Sequence, residues 1–190
     1  MEIFYVAIYS YILGSIPFGL IYSNILGYGD IRKIGSGNIG ATNALRTGSK
    51  LLAALTLISD IFKGSAAVYI TLKYFSEFAY FSAITVYLGH IFPIWLKFKG
   101  GKGIATFIGI ILILNPISFL IFTISWLIIS KLFKISSLSA LSAFCILILI
   151  SLFYLSQKEI FFYFFFLVFS IFTHKENIAR LLSGTEKKIK

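Results

Sequence analysis

Three polar clusters rich in glycine and cations, at residues 35–50, 89–106 and 174–188, interrupt a chain that is otherwise almost wholly apolar. Glycines let successive backbone N–H groups converge on an anion, and lysine, arginine and small amide side chains add charge and donors to the same purpose. Any site in this chain must draw on these residues, because little else in it is polar.

The first cluster reads Gly35-Ser36-Gly37-Asn38-Ile39-Gly40-Ala41-Thr42-Asn43, followed by Arg46 and Gly48. Its G-x-G-x-x-G spacing matches a dinucleotide fingerprint, but that fingerprint needs a preceding strand in a soluble βαβ unit, and here an apolar run precedes it. What survives is the anion chemistry. Ser36, Asn38, Thr42 and Asn43 offer neutral donors, and Arg46 offers a planar fork suited to phosphate. A glycine-rich turn with Arg46 as a topology charge explains the same residues.

The second cluster holds Gly89-His90-Ile91-Phe92-Pro93 and then Phe98-Lys99-Gly100-Gly101-Lys102-Gly103-Ile104-Ala105-Thr106. It lacks the first glycine and the Ser/Thr after lysine of a Walker A loop. Gly100, Gly101 and Gly103 still present backbone around the Lys102 ammonium where a helix is expected to start, a cradle for phosphate without a nucleotide. His90, a lone interfacial histidine, fits a structural role as well as a binding one. Lys97 and Lys99 read equally as snorkelling anchors.

The third cluster, His174-Lys175-Glu176-Asn177-Ile178-Ala179-Arg180-Leu181-Leu182 with Gly184 and Glu186, reads as the continuation of the last apolar helix. At 3.6 residues per turn His174, Asn177 and Leu181 share a face with Arg180 nearby, and Gly184 is the expected stop.

The elements that must position these clusters are membrane helices. Of 190 residues, 58% are hydrophobic and 18% aromatic, more apolar side chain than a soluble fold can hide. The net charge of +10 would suggest nucleic acid in a soluble protein. Here it lies in loops beside apolar runs, where it reads as topology and as affinity for anionic head groups or phosphates; no nucleic-acid partner is expected. Cys145 stands alone in an apolar run, where packing is the expected role. The N-terminus lacks a basic n-region, so the first run is expected to be retained.

A crossing needs about 20 residues, and candidate spans lie at 3–26, 51–74, 78–96, 138–155 and 160–172. The stretch 104–130 is either one tilted span or two short ones broken at Asn115-Pro116, where proline disfavours continuation. With two, 14 loop lysines and arginines fall on one side and 2 on the other; with one, the split is 8 to 8. The positive-inside rule selects the first. The expected fold is therefore an all-α integral membrane protein, a single domain over 1–190 with seven transmembrane helices. The N-terminus lies outside and the C-terminus in the cytoplasm, with the clusters in one cytosol-facing pocket. Within the second span Asp60 and Lys63 stand at i and i+3, where a mutual salt bridge or support for the site is expected.

Taken together the motifs resemble those of the bacterial PlsY-type glycerol-3-phosphate acyltransferases. The resemblance rests on Ser36-Gly37-Asn38-x-Gly40-Ala41-Thr42-Asn43-x-x-Arg46, on Gly89-His90-x-Phe92-Pro93 with Phe98 to Thr106, and on His174-Lys175-x-Asn177-Ile178-x-Arg180-Leu181-x-x-Gly184. It extends to Gly14-Ser15-Ile16-Pro17-Phe18-Gly19 and Asp60-x-x-Lys63-Gly64. It implies transfer of an acyl group from acyl phosphate to the 1-hydroxyl of sn-glycerol 3-phosphate, giving lysophosphatidic acid and phosphate at the cytoplasmic face of the bacterial inner membrane. It further implies His174, Lys102, Ser36 and Arg46 in catalysis. Gly37, Asn38, Thr42, Asn43, His90, Gly100, Gly101, Gly103, Asn177 and Arg180 are then expected to bind substrate, with Ser137 a looser match. Arg46, Lys102 and Arg180 would hold two phosphates side by side. An acyl phosphate is already activated, so neither cofactor nor metal is expected. His174 is a candidate general base; in the competing mechanism the leaving phosphate takes the proton and His174 only positions. Membrane lipids, and the enzyme that makes acyl phosphate, are further candidate partners. A transporter of an organic phosphate is the alternative reading, and a scaffold for acidic lipids a weaker one.

Overall fold

The computed structural model describes residues 1–189; Lys190, counted above among the C-terminal cations, lies outside them. The described residues form helices and turns, with no strand among them. They fall into two compact units, Met1–Leu114 and Asn115–Lys190.

The first unit begins with α1 (Glu2–Ser15) and α2 (Phe18–Ile25). The run expected as one uninterrupted span is thus broken at Ile16-Pro17, because proline supplies no N–H to a continuing helix. At the break the Ile16 carbonyl accepts from Phe18 N at 3.1 Å and, as its second donor, from Lys63 Nζ at 2.9 Å. There follow α3 (Ala41–Ala44), α4 (Lys50–Tyr74), α5 (Ala79–Ile91) and α6 (Ile104–Leu114). The Ser49 side chain caps α4, accepting from Leu52 N at 3.1 Å. This satisfies one orphan donor of the first turn.

Small residues let these helices touch backbone to backbone, as expected where apolar lipid removes the hydrophobic drive for helix pairing. Helices α1 and α5 meet at Gly14 and Gly89, where an added Cβ would strike the Val86 and Tyr11 carbonyls. Helices α4 and α6 meet at Gly64 and Gly109, against the Thr106 and Ile61 carbonyls. Polar pairs join the same seams: Ser10 Oγ with Ser82 Oγ at 2.8 Å, Tyr11 OH to Phe92 O at 2.7 Å, and Ser65 Oγ to Gly109 O at 3.0 Å.

The second unit contains α7 (Pro116–Phe133), α8 (Ser136–Ser151), α9 (Gln157–Thr173) and α10 (Lys175–Leu182). The expected break between α6 and α7 is present: Asn115 caps α7 by accepting from Ser118 N at 3.0 Å, and Pro116 takes the first helical position. This is the position where its missing N–H costs nothing. A polar knot of Tyr163 OH to Ser118 Oγ at 2.8 Å and Ser118 Oγ with Tyr154 OH at 3.0 Å lies inside the unit. Phe122 and Phe144 pack edge to face at 4.9 Å between α7 and α8. Cys145, expected in packing, is exposed on α8, one residue along from buried Phe144.

Among the described residues, four segments are long and apolar enough to cross a bilayer: Glu2–Ile25, Lys50–Tyr74, Ser76–Leu96 and Pro116–Phe133. Ile104–Leu114 and Ser136–Ser151 are apolar but shorter. Phe4, Phe62, Leu132, Phe153 and Phe161 stand exposed on these and neighbouring elements, the arrangement expected where lipid is the solvent.

Candidate active site

In the first unit, residues 30–49 form a loop knotted around Asn43. The Asn43 side chain is 2% exposed. Its Nδ2 donates to Ile31 O and Asn38 O, both at 2.7 Å, and its Oδ1 accepts from Ser36 N at 2.8 Å and Ser36 Oγ at 3.2 Å. Arg46 Nη1 reaches the same oxygen at 3.5 Å. Asn38 Oδ1 in turn accepts from Gly40 N at 2.9 Å. Gly35 turns the chain with φ of 60°, and a side chain there would run into Asn43 and Arg46. Asn43, expected to bind substrate, thus spends both amide protons on the backbone and holds the loop's shape. Around it Ser36, Asn38, Thr42 and Arg46 are partly exposed, and Gly37 is exposed. Arg32 at the loop's edge is committed to Asp30 (Nη2 to Oδ2, 2.7 Å). That side-chain hydrogen bond is the main reason the Asp30 carboxyl titrates at about 2.

The second cluster is a loop folded back onto the end of α5. Gly101 N donates to His90 O at 3.1 Å, Gly100 N to Ile91 O at 2.9 Å, and Phe98 N to Pro93 O at 3.0 Å. Lys97 and Phe98 take left-handed backbone conformations, φ 53° and 61°, to make the reversal, unusual for a bulky residue such as phenylalanine. The glycines serve close approach. A side chain on Gly101 would strike the His90 ring, and one on Gly103 the Tyr87 ring. Gly103 O accepts from Phe107 N at 2.8 Å, which opens α6. Lys102 sits partly exposed between buried Gly101 and Gly103, while Lys97 and Lys99 are exposed. Leu96, from this loop, packs on the apolar cluster of Leu20, Ile31, Ile39, Ala44 and Leu52 beneath the first loop.

Under His90 lie the intramembrane charges. Lys63 Nζ pairs with Asp60 Oδ1 at 2.9 Å, and both side chains are buried. His90 Nδ1 stands 3.7 Å from the same Asp60 oxygen. Of the two expected readings of Asp60 and Lys63 the mutual salt bridge forms, and His90, beside it, accepts at its backbone carbonyl from Gly101 N. Lys63 also connects to the α1–α2 break through Ile16 O.

In the second unit, the expected continuous helix is interrupted at His174, whose φ and ψ of −102° and 10° separate α9 from α10. His174 and Asn177 are buried and Leu181 partly so, as a shared face requires. His174 Nδ1 lies 2.8 Å from Ser170 O. A carbonyl can only accept, so Nδ1 carries hydrogen and Nε2 of the neutral ring is the basic nitrogen. Gly184 ends α10 at φ 71°, with Thr185 N donating to Arg180 O at 2.8 Å.

Glu186, absent from the expected site, is the hub here. Its carboxylate accepts from Ser137 Oγ at 2.8 Å, Arg180 Nε at 2.6 Å and Asn177 Nδ2. These bonds, against the opposing effect of burial, hold its pKa below the ordinary 4.5. Local spacing shows only a lone acid in a basic tail. Among the described residues no three His, Cys, Asp or Glu side chains gather as a metal-binding group.

The model of the family described as glycerol-3-phosphate acyltransferase matches residues 4–184. The chain belongs to this family. The glycerol-3-phosphate acyltransferase of Mesorhizobium japonicum is 50% identical over 183 residues, covering 96% of this chain and 93% of the relative. That of the Wolbachia of Brugia malayi is 47% identical over 192 residues, covering 99% of each. The crystal structure of PlsY (YgiH), an integral membrane glycerol 3-phosphate acyltransferase, in its glycerol 3-phosphate form is similar with a TM-score of 0.93. Identity is 32%, with 100% of this chain and 96% of that one covered. The lysophosphatidic acid form of the same enzyme gives 0.90. As a glycerol-3-phosphate acyltransferase, the chain is an integral membrane enzyme of phospholipid synthesis.

Proposed function

We propose that this chain, acting over 1–190 as one polytopic domain, transfers a fatty acyl group from acyl phosphate to the 1-hydroxyl of sn-glycerol 3-phosphate. The observation that carries the reading is the match to an enzyme captured in both glycerol 3-phosphate and lysophosphatidic acid forms, a substrate and a product of that step. The hydroxyl oxygen attacks the acyl carbon as its proton passes to His174, the bond from that carbon to the phosphate oxygen breaks, and His174 then returns the proton to the departing phosphate. Lys102 and Arg46, with Ser36 and the backbone of Gly37, Gly100, Gly101 and Gly103, neutralise and orient phosphate. Thr42 and Asn38 line the first loop, and Asn43 and His90 keep the two loops in shape. Ser137, Asn177 and Arg180 serve binding in the second unit. His174 takes the proton on Nε2; its Nδ1 bond to Ser170 O supports that tautomer.

Seven crossings with a cytoplasmic C-terminus, in the bacterial inner membrane, are part of this proposal. The 14-to-2 distribution of loop cations and the helix break at Asn115-Pro116 support it. Single cysteines at Lys102 and Lys187, labelled from outside sealed cells, should both be protected.

The mechanism is tested on the purified enzyme with acyl phosphate and glycerol 3-phosphate, reading phosphate release. In H174A, kcat should fall by roughly two to four decades with little change in KM. A retained kcat with a raised KM would assign the proton to the leaving phosphate and reduce His174 to positioning.

A further inference from the structure

The C-terminal strap after α10 places a carboxylate among donors expected to recognise an anion. Gly184 reverses the chain, Thr185 N donates to Arg180 O, and Ile189 N donates to Lys134 O at 2.6 Å. The strap therefore spans from α10 to the α7–α8 junction. Glu186, pinned between, accepts from Ser137 at the start of α8 and from Asn177 and Arg180, one turn apart on α10. Its side chain is 6% exposed and that of Arg180 32%, so the acid is buried beneath a half-buried arginine.

Each bond sets a geometry. A carboxylate accepts only, so Asn177 must turn its amide nitrogen to Glu186, which fixes the flip of that amide. Arg180 spends Nε on Glu186, which fixes the plane of its fork. The long side chain of Arg180 would otherwise lose rotamer entropy on meeting a ligand, and a held side chain has met that cost already. The lowered pKa of Glu186 keeps it ionised throughout the neutral range.

We propose that Glu186 is a positioning residue for glycerol 3-phosphate, holding Ser137, Asn177 and Arg180 in their binding geometry without touching the substrate itself. This rests on the activity proposed above. An opposite arrangement, in which Glu186 occupies phosphate donors until substrate displaces it, predicts the opposite sign.

The test compares wild type, E186Q and E186D as full-length proteins in detergent micelles, by steady-state phosphate release. E186Q keeps the reach and one acceptor oxygen but removes the charge; it should raise KM for glycerol 3-phosphate about tenfold, the scale of one charge-assisted hydrogen bond. KM for acyl phosphate should stay within twofold. E186D keeps the charge and should raise KM for glycerol 3-phosphate less; it carries the test if E186Q does not fold. A purely structural role would lower thermal stability and active fraction while leaving both KM values unchanged, and that result overturns the proposal. A lowered KM for glycerol 3-phosphate overturns it too, in favour of competition. A wild-type enzyme that releases no phosphate overturns the activity reading, and this one with it; an active wild type with an unchanged E186Q overturns this inference alone.

Discussion

Replacing Asn43 by aspartate changes one NH2 to oxygen with almost no change of shape, at a site that is 2% exposed. In the native loop that NH2 donates to Ile31 O and Asn38 O at 2.7 Å each. In N43D both carbonyls lose a donor and face an oxygen instead. Ile31 O keeps its bond from Ile34 N at 3.3 Å and loses one bond worth about 0.5–1.5 kcal/mol, while the part-buried Asn38 O loses its donor at about 1–3 kcal/mol, so the two together cost about 1.5–4.5 kcal/mol, before any desolvation of a carboxylate. The bonds from Ser36 N and Ser36 Oγ to Oδ1 can persist, so the damage is to the fit between residues 31–38 and α3, not to helix packing. If about 3 kcal/mol of that cost falls on the working loop conformation, the competent fraction drops roughly a hundredfold. The expected result is a fall in kcat/KM of at least about a hundredfold, with near-native helicity by circular dichroism. N38A is the internal control. It removes one accepted bond, from Gly40 N at 2.9 Å, worth about 0.5–1.5 kcal/mol, and should lose roughly two- to tenfold. Activity of N43D within threefold of wild type, or N38A worse than N43D, would refute the claim that Asn43 is the loop's organiser.

Two further outcomes follow from charges the fold holds away from water. K63M leaves Asp60 buried without its 2.9 Å partner, a loss of about 3–5 kcal/mol; the D60N/K63M double variant should recover at least half of the fall in thermal midpoint in detergent, and equal midpoints for the two would contradict the pairing. Glu186 has a folded pKa below the ordinary 4.5, so its contribution to strap docking is complete above 4.5 and is lost as pH falls through the lower folded value. Protease cutting within 184–189 should stay constant from pH 7 to 5 and rise only at more acid pH, with E186Q cut readily throughout.

The class of protein, the helix break at Asn115-Pro116 and the chain reversal at Gly184 were all legible in the amino-acid order. Each depends on local chemistry: apolar content sets the solvent, proline withholds an N–H, and glycine accepts a positive φ. The Asp60–Lys63 pair was legible for the same reason, since i and i+3 are neighbours on any helix. Pro17 was a local signal too, yet a long apolar run obscured it, and the donor that completes the Ile16 carbonyl comes from Lys63, 47 residues away. The motif residues could be chosen from sequence, but their division of labour could not. Asn43 and Ser36 look alike as polar loop residues until tertiary structure buries one and leaves the other partly exposed. Gly101 reads as flexibility until the His90 ring is found where its side chain would be. Glu186 is one acid in a basic tail until the strap carries it to Ser137, 49 residues distant. Contacts at such separations are set by how helices pack and where chains reverse, and no local run of residues encodes which partner will be met.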